Sequence, residues 1–489
     1  MEKFPKIAQL KDIAALRDRL AELDCSLPID ETILTEDAKS PLAAPLQIGN
    51  VTVGNRWCIH PMEGWDAGED GKPSELTLRR WQRFGESGAK WIWGGEAAAV
   101  VPEGRANPRQ TLATPENREG LARLLETLES AHREHFGSVD DLLVGLQLTH
   151  SGRFAQPTVS GPAPRIAYHH PLLDPRFDLD PHDDRPLLSD GELDDLIGHF
   201  IRAAEMAHQI GFRFVDVKAC HGYLIHELLG GSTRPGSYGG DFAGRTRFLT
   251  EIIRGIRQQV PDLMIGVRLS AFDSVPFARG EGGVGIPVEH RDLLPYRYGF
   301  GLAEGDPRQA DLTETIQLLH LLRDLGVHTV NVSCGSPYYC PHLQRPAIFP
   351  PSDGYLPPED PLCGVVRQIE MARQCKEACP ELPMVGSGYS YLQDYLPHVA
   401  QAVVRHGWID AVGLGRMVLS YPELPRDTLA GGTTARKKIC RTFSDCTTAP
   451  RGGMISGCFP LDPFYHHLPE ADQLARFKKA VNQQMREST

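Results

Sequence analysis

The sequence predicts an α/β chain folded as a (β/α)8 TIM barrel, with an N-terminal helical extension and a cysteine-containing C-terminal tail. Three observations lead there. Eight short apolar or β-branched runs recur along the chain, and amphipathic helical patterns separate them. The GxGxxG loop that marks a doubly wound open sheet does not follow the first run. At 489 residues the chain is long for one domain, but barrels run as single units past the usual domain size.

Residues 1–44 read as the helical extension. MEKFPKIAQLKDIAALRDRL alternates charged and apolar residues, without the unbroken apolar core or small-residue cleavage site of a secretory signal, so a cytoplasmic protein is expected. Residues 45–427 carry the barrel. Its strands are predicted in WCIHPM from 57, KWIWGGEAAAV from 90, LLVGLQLTH from 142 and FRFVDVKAC from 212, then in LMIGVRLSA from 263, HTVNVSCG from 328, LPMVGSG from 382 and WIDAVGLGR from 408. Ser189 and Glu192 form a capping box ahead of a helix that runs through Ile210 and stops at Gly211. DLTETIQLLHLLRDLG from 311 repeats that grammar. Two segments exceed ordinary loop length, residues 272–310 and 336–360. Both leave carboxyl ends of strands and are rich in Gly, Pro and aromatic residues, so both are expected to act as substrate lids. Residues 428–489 form the tail.

Composition narrows the partners. A net charge of −12 argues against a nucleic-acid partner, which would require clustered Lys and Arg. No run approaches the apolar length of a membrane span. Eleven scattered cysteines suit reduced thiols better than a disulfide framework. A small-molecule substrate is expected, with the extension open to a role in a homo-oligomer.

The chemistry gathers at the strand ends. Gln147 stands in LQLTHSGR, Lys218 and His221 close the fourth strand, and Arg268 lies in GVRLS. GSG ends the seventh strand and GLGR the eighth, where barrels commonly hold a phosphate on backbone N–H groups. Gly388, Gly415 and Arg416 fit that site.

Between about Pro45 and Pro425 the chain resembles the old yellow enzyme family of FMN-dependent barrel oxidoreductases. PLQIGNVTVGNRWCIHPM, EAAAVVPEGR, LQLTHSGR and HGYLIHELLGGSTRPGSYGG carry the likeness, in order. The resemblance implies that FMN is the cofactor and NAD(P)H the electron donor. Pro61, Met62 and Glu63 would line the flavin ring, Ala97 would contact it, and Gln147 would bond its pyrimidine edge. Arg268 would lie near N1, where a cation stabilises reduced flavin. Ser387, Gly388, Gly415 and Arg416 would hold the phosphate. Tyr223 would donate a proton to an activated alkene, with His221 and Lys218 gripping its carbonyl. Two alternative readings are oxidation of an amine-type substrate and a catalytically silent flavin-binding barrel.

Three departures from the family stand out. Lys218 occupies a position usually held by His, and favours an anionic acceptor. Glu63 replaces a small polar residue, and Lys218 is its candidate partner. Members that resemble dienoyl-CoA reductase and trimethylamine dehydrogenase carry C-x-x-C-x-x-x-C-x11-C for an iron–sulfur cluster. Here Cys446 and Cys458 keep the last spacing, Ile439 and Thr442 stand at the first two positions, and Cys440 is one residue out of register. No metal is expected, because such clusters need four soft ligands in fixed geometry.

Overall fold

The computed structural model describes residues 4–352 and 354–487. Residues 1–3 of the extension, residue 353 of the second insertion and residues 488–489 of the tail lie outside the described residues.

Eight parallel staves close a barrel. They are β1 Trp57–Ile59, β2 in two pieces, Trp91–Ile92 and Ala97–Ala99, β3 Leu143–Thr149 and β4 Phe214–Ala219, followed by β5 Met264–Ser270, β6 Thr329–Ser333, β7 Met384–Gly386 and β8 Ala411–Leu414. Closure is made where β8 pairs with β1 at Val412↔Trp57. Each predicted run contains its stave, but the second is broken. Its lower piece pairs β1 and β3, and its upper piece pairs β3 alone at Ala97↔Gln147. The break falls at Gly94, where a Cβ would stand 2.8 Å from the Gln147 backbone nitrogen. Only a residue without a side chain lets the chain pass there.

The staves are buried on both faces, as expected of a sheet ringed by helices. Those helices begin where the sequence caps them. Ser189 accepts from the Glu192 N–H and opens Asp190–Ile210, and Gly211 ends it at φ 117°. The 311 pattern becomes Thr313–Asp324.

The lower end of the barrel is sealed. The hairpin Leu46–Ile48/Val51–Val53 brings Ile48, Val51 and Val53 against Trp91, Trp93, Phe214 and Met264. Trp93 packs 5.4 Å from Trp91 and meets Phe214 edge-on at the same distance. The extension lies elsewhere: helix Ile13–Glu22 buries Leu16 and Leu20 in the main core, and Arg19 pairs with the buried Asp360 at 2.7 Å.

The tail folds back onto the helix Glu75–Gly85. Asp462, 2 % exposed, takes Arg79 at 3.0 Å and Arg83 at 2.7 Å, and the Arg79 guanidinium sits 4.2 Å above the Phe464 ring. Replacing Asp462 by Asn leaves two partly buried guanidinium groups without a counter-charge. We expect Asp462→Asn to cost about 2–3 kcal/mol, below the usual range for breaking a fully buried pair because both arginines keep some solvent. Thermal denaturation reads the loss, and limited proteolysis should cut the variant first within residues 432–444.

Candidate active site

The strand ends open into a cleft of two adjoining lobes, about 190 and 180 Å3. Pro61, Met62, Glu63, His221 and Arg268 line both. Gln147, Lys218 and Tyr223 face the first, and Ser387, Gly388, Gly415 and Arg416 face the second. Ala97 lines neither lobe; it is fully buried and lies beside Gln147 in register.

The first lobe is built on β4 and the turn after it. His221 takes φ 66°, unusual for a side-chain-bearing residue, and its N–H donates to Ser270 Oγ at 3.0 Å. Gly222 follows at φ 83°, with no room for a Cβ, which would stand 2.9 Å from Tyr339 and 3.0 Å from Phe154. This turn places His221 Nε2 3.1 Å from Ser333 Oγ and 3.3 Å from Gln344 Nε2. Burial, then Arg268 and Lys218, hold its imidazole well below the usual range, so it is neutral.

Lys218 and Glu63 form the ion pair that the two substitutions suggest. Lys218 Nζ donates to Glu63 Oε1 at 2.7 Å, and Trp65 Nε1 donates to the other carboxylate oxygen at 2.9 Å. Lys218 is 4 % exposed in its side chain, so a charge there requires such a partner. The pairing removes the free cation on which the expectation of an anionic acceptor rested. The same ammonium lies 3.9 Å above the Tyr223 ring. Tyr223 Oη shares a hydrogen bond of 3.0 Å with Tyr338, whose ring stacks on Phe154 at 4.1 Å. Burial, then the Glu63 carboxylate, raise the Tyr223 phenol well above its ordinary range.

Beneath these groups, Asp216 accepts from Gln147 Nε2 and, at 2.6 Å, from the Arg268 backbone N–H. The carboxylate orients the Gln147 amide, leaving its Oε1 and one N–H for the first lobe. Burial raises the Asp216 carboxyl to about 6. The Cys220 thiol is pushed up to about 12 by burial and serves as packing.

The second lobe suits an anion. Arg268 Nε, Arg345 Nε and Arg416 Nη1 are buried and hold no hydrogen bond among the described residues. A buried N–H left without an acceptor is costly, so these three call for an acceptor-rich ligand. The backbone beside them is approachable: Gly388 has φ 93°, and a Cβ on Gly415 would meet nothing closer than 3.9 Å. The residues present therefore fit a flavin mononucleotide, with Arg416 and Arg345 suited to its phosphate and Gln147 and Arg268 to its ring edge.

Several lining residues escaped the sequence reading. Arg345, Gln344 and Tyr338 come from the 336–360 insertion, which does cover the cleft. The 272–310 insertion does not: none of its residues lines either lobe, and its strand Phe277–Arg279 pairs with Gly285–Pro287 off to one side. The tail supplies the rest of the roof. Arg345 Nη1 donates to Thr447 Oγ1, and Cys446 lines both lobes. Cys440, Cys446 and Cys458 lie within electrostatic reach of one another. Among the described residues, no group of three or more Cys, His, Asp or Glu side chains converges to hold a metal ion.

The model of the NADH:flavin oxidoreductase / NADH oxidase family matches residues 41–282. An NADH oxidase of Thermoanaerobacter brockii is 25% identical over 412 residues, which is 84% of this chain and 53% of that protein. An NADPH dehydrogenase of Bacillus subtilis is 31% identical over 239 residues, 47% of this chain and 64% of the relative. The chain thus spans between half and two thirds of the length of these curated relatives. In fold it resembles 2-naphthoyl-CoA reductase in complex with 2-naphthoyl-CoA, with a TM-score of 0.63 at 20% identity over 88% of this chain and 58% of that one. Over residues 41–282 the chain is similar to the NADH:flavin oxidoreductase / NADH oxidase family, and it is old yellow enzyme-like.

Proposed function

We propose that the protein is an FMN-dependent oxidoreductase that moves hydride from NAD(P)H to an activated alkene or a related electrophilic small molecule. One observation carries this reading: Lys218, His221 and Tyr223 converge on the same cleft as the unsatisfied arginines Arg268, Arg345 and Arg416. The bound flavin supplies hydride transfer, and the chain supplies positioning, charge and protons.

In this reading His221 and Lys218 bind the carbonyl that activates the alkene. Lys218 is held by Glu63 as a fixed donor whose charge is already balanced, which suits a neutral carbonyl. Tyr223 keeps its proton on Oη at neutral pH and releases it only to the strongly basic carbon that forms late in the reaction. The Lys218 ammonium over its ring attracts the negative charge that grows on the phenol as the proton leaves. Arg268 holds negative charge at the ring edge, and the roof formed by Tyr338, Gln344 and Cys446 excludes bulk water.

An amine substrate finds less support. Glu63, the carboxylate that lines both lobes, is engaged by Lys218 and Trp65 and offers a cationic amine no open acceptor.

Stopped-flow kinetics test the proposal directly. NAD(P)H should bleach the bound flavin, and an enone should restore its colour. Tyr223→Phe should leave the first phase unchanged and slow the second by about 10²–10⁴. Equal reoxidation rates in both proteins would remove Tyr223 from the mechanism.

Glu63→Gln strips the counter-charge from Lys218. We expect a loss of about 3 kcal/mol in stability, a more positive flavin potential, and a lower KM for a carboxylate-bearing enone relative to a neutral one. An unchanged potential together with an unchanged KM ratio would show that the pair does not act on this site.

A further inference from the structure

Residues from three staves form a closed ring of hydrogen bonds beside the second lobe. His60 follows β1, Asn331 lies on β6 and Ser387 follows β7. His60 Nδ1 is 2.9 Å from Asn331 Nδ2, His60 Nε2 is 3.1 Å from Ser387 Oγ, and Ser387 Oγ is 3.3 Å from Asn331 Oδ1. All three residues are buried, and His60 and Ser387 line the lobe. The imidazole fits because β8 carries Gly413 opposite it, where a Cβ would stand 2.0 Å from His60 Cε1.

The ring closes in two senses, and both give Ser387 the same character. In one, Asn331 donates to His60 Nδ1, His60 Nε2–H donates to Ser387, and Ser387 donates to Asn331. With the Asn331 amide turned over, Ser387 donates to His60 Nε2, His60 Nδ1–H donates to Asn331, and Asn331 donates to Ser387. Either way the Ser387 proton lies inside the ring and one lone pair is occupied. Toward the lobe the hydroxyl presents only an acceptor. Burial and the Arg268 guanidinium hold the His60 imidazole well below its ordinary range, so the neutral form that both senses require is the one present.

An oxygen that only accepts repels a phosphate oxygen and attracts a hydroxyl. We propose that Ser387, set by its ring with His60 and Asn331, receives a hydrogen bond from a hydroxyl of the polyol chain of the bound flavin nucleotide. The phosphate then falls to Arg416, Arg345 and the glycine backbone. This inference rests on the flavin reading above, and it moves Ser387 out of the phosphate site where the family resemblance put it. His60 and Asn331 are positioning residues that fix which way the hydroxyl faces.

Riboflavin carries the polyol chain without the phosphate, so the two flavins separate the roles. Apoprotein is titrated with FMN and with riboflavin, following the quenching of flavin fluorescence. We expect Ser387→Ala to weaken both by the same factor, roughly two- to tenfold, leaving the preference for FMN over riboflavin at its wild-type value. Arg416→Ala should weaken FMN alone. His60→Phe should reproduce the paired loss of Ser387→Ala; unchanged affinity for both flavins would remove His60 from the ring's function. A Ser387→Ala protein that loses affinity only for FMN, or for neither flavin, overturns the inference and leaves the flavin reading intact. Wild-type apoprotein that binds neither flavin overturns the flavin reading itself. If Ser387→Ala does not fold, FMN analogues each lacking one ribityl hydroxyl are titrated into wild-type protein. One analogue binding more weakly by that factor supports the inference, and uniform binding across the set overturns it.

Discussion

Closure of the barrel through β8 and β1 is the constraint on which the rest depends. A parallel sheet sends every strand in one direction, and closure brings all their carboxyl ends to one rim. Residues as distant in sequence as Glu63 and Lys218, or His60 and Asn331, meet only because the staves that carry them are joined in a ring. The helices between them bury the sheet's outer face and set the spacing. What varies at the rim is then free to specify chemistry without disturbing the scaffold.

Within that rim, charge is managed by pairing in some places and by deliberate incompleteness in others. Glu63 balances Lys218, and below them Arg80 is shared between Asp66 and Glu96, where burial raises the Glu96 carboxyl to about 8. Arg268, Arg345 and Arg416 each keep a buried N–H unsatisfied. Fully satisfied groups hold the walls in place, and unsatisfied ones define where a ligand's oxygens belong. Both patterns run through the cleft: Glu63 balances Lys218, while Arg268 and Arg345, which line both lobes, and Arg416, which lines the second, keep positive charge in excess.

Much of this was legible in the sequence, for physical reasons. Strands declare themselves through β-branched runs, and the residue that ends a barrel strand has little choice but to face the rim. Gln147, Lys218, His221 and Arg268 were found that way, Tyr223 came only with the family resemblance, and the complementary charges of Glu63 and Lys218 made their pairing readable. The roof was not. Arg345 meets Thr447 across a sequence separation of 102 residues, through a proline-rich loop and an irregular tail that carry no periodic signal. The 272–310 insertion misled because composition marks a rim loop without saying which way it folds. His60 stood in plain view in WCIHPM, yet its role depends on two partners from other staves and on the bare Gly413 that makes space for it.

The sealed lower end of the barrel has a consequence for traffic. Ile48, Val51 and Val53 stopper the base against two tryptophans, so nothing passes through the cleft to that end of the barrel. In the proposed reaction NAD(P)H and its acceptor both approach from the rim, and there they take turns. In that reading crowding penalises abundance: an excess of either visitor bars the other, and throughput peaks at intermediate concentrations of both.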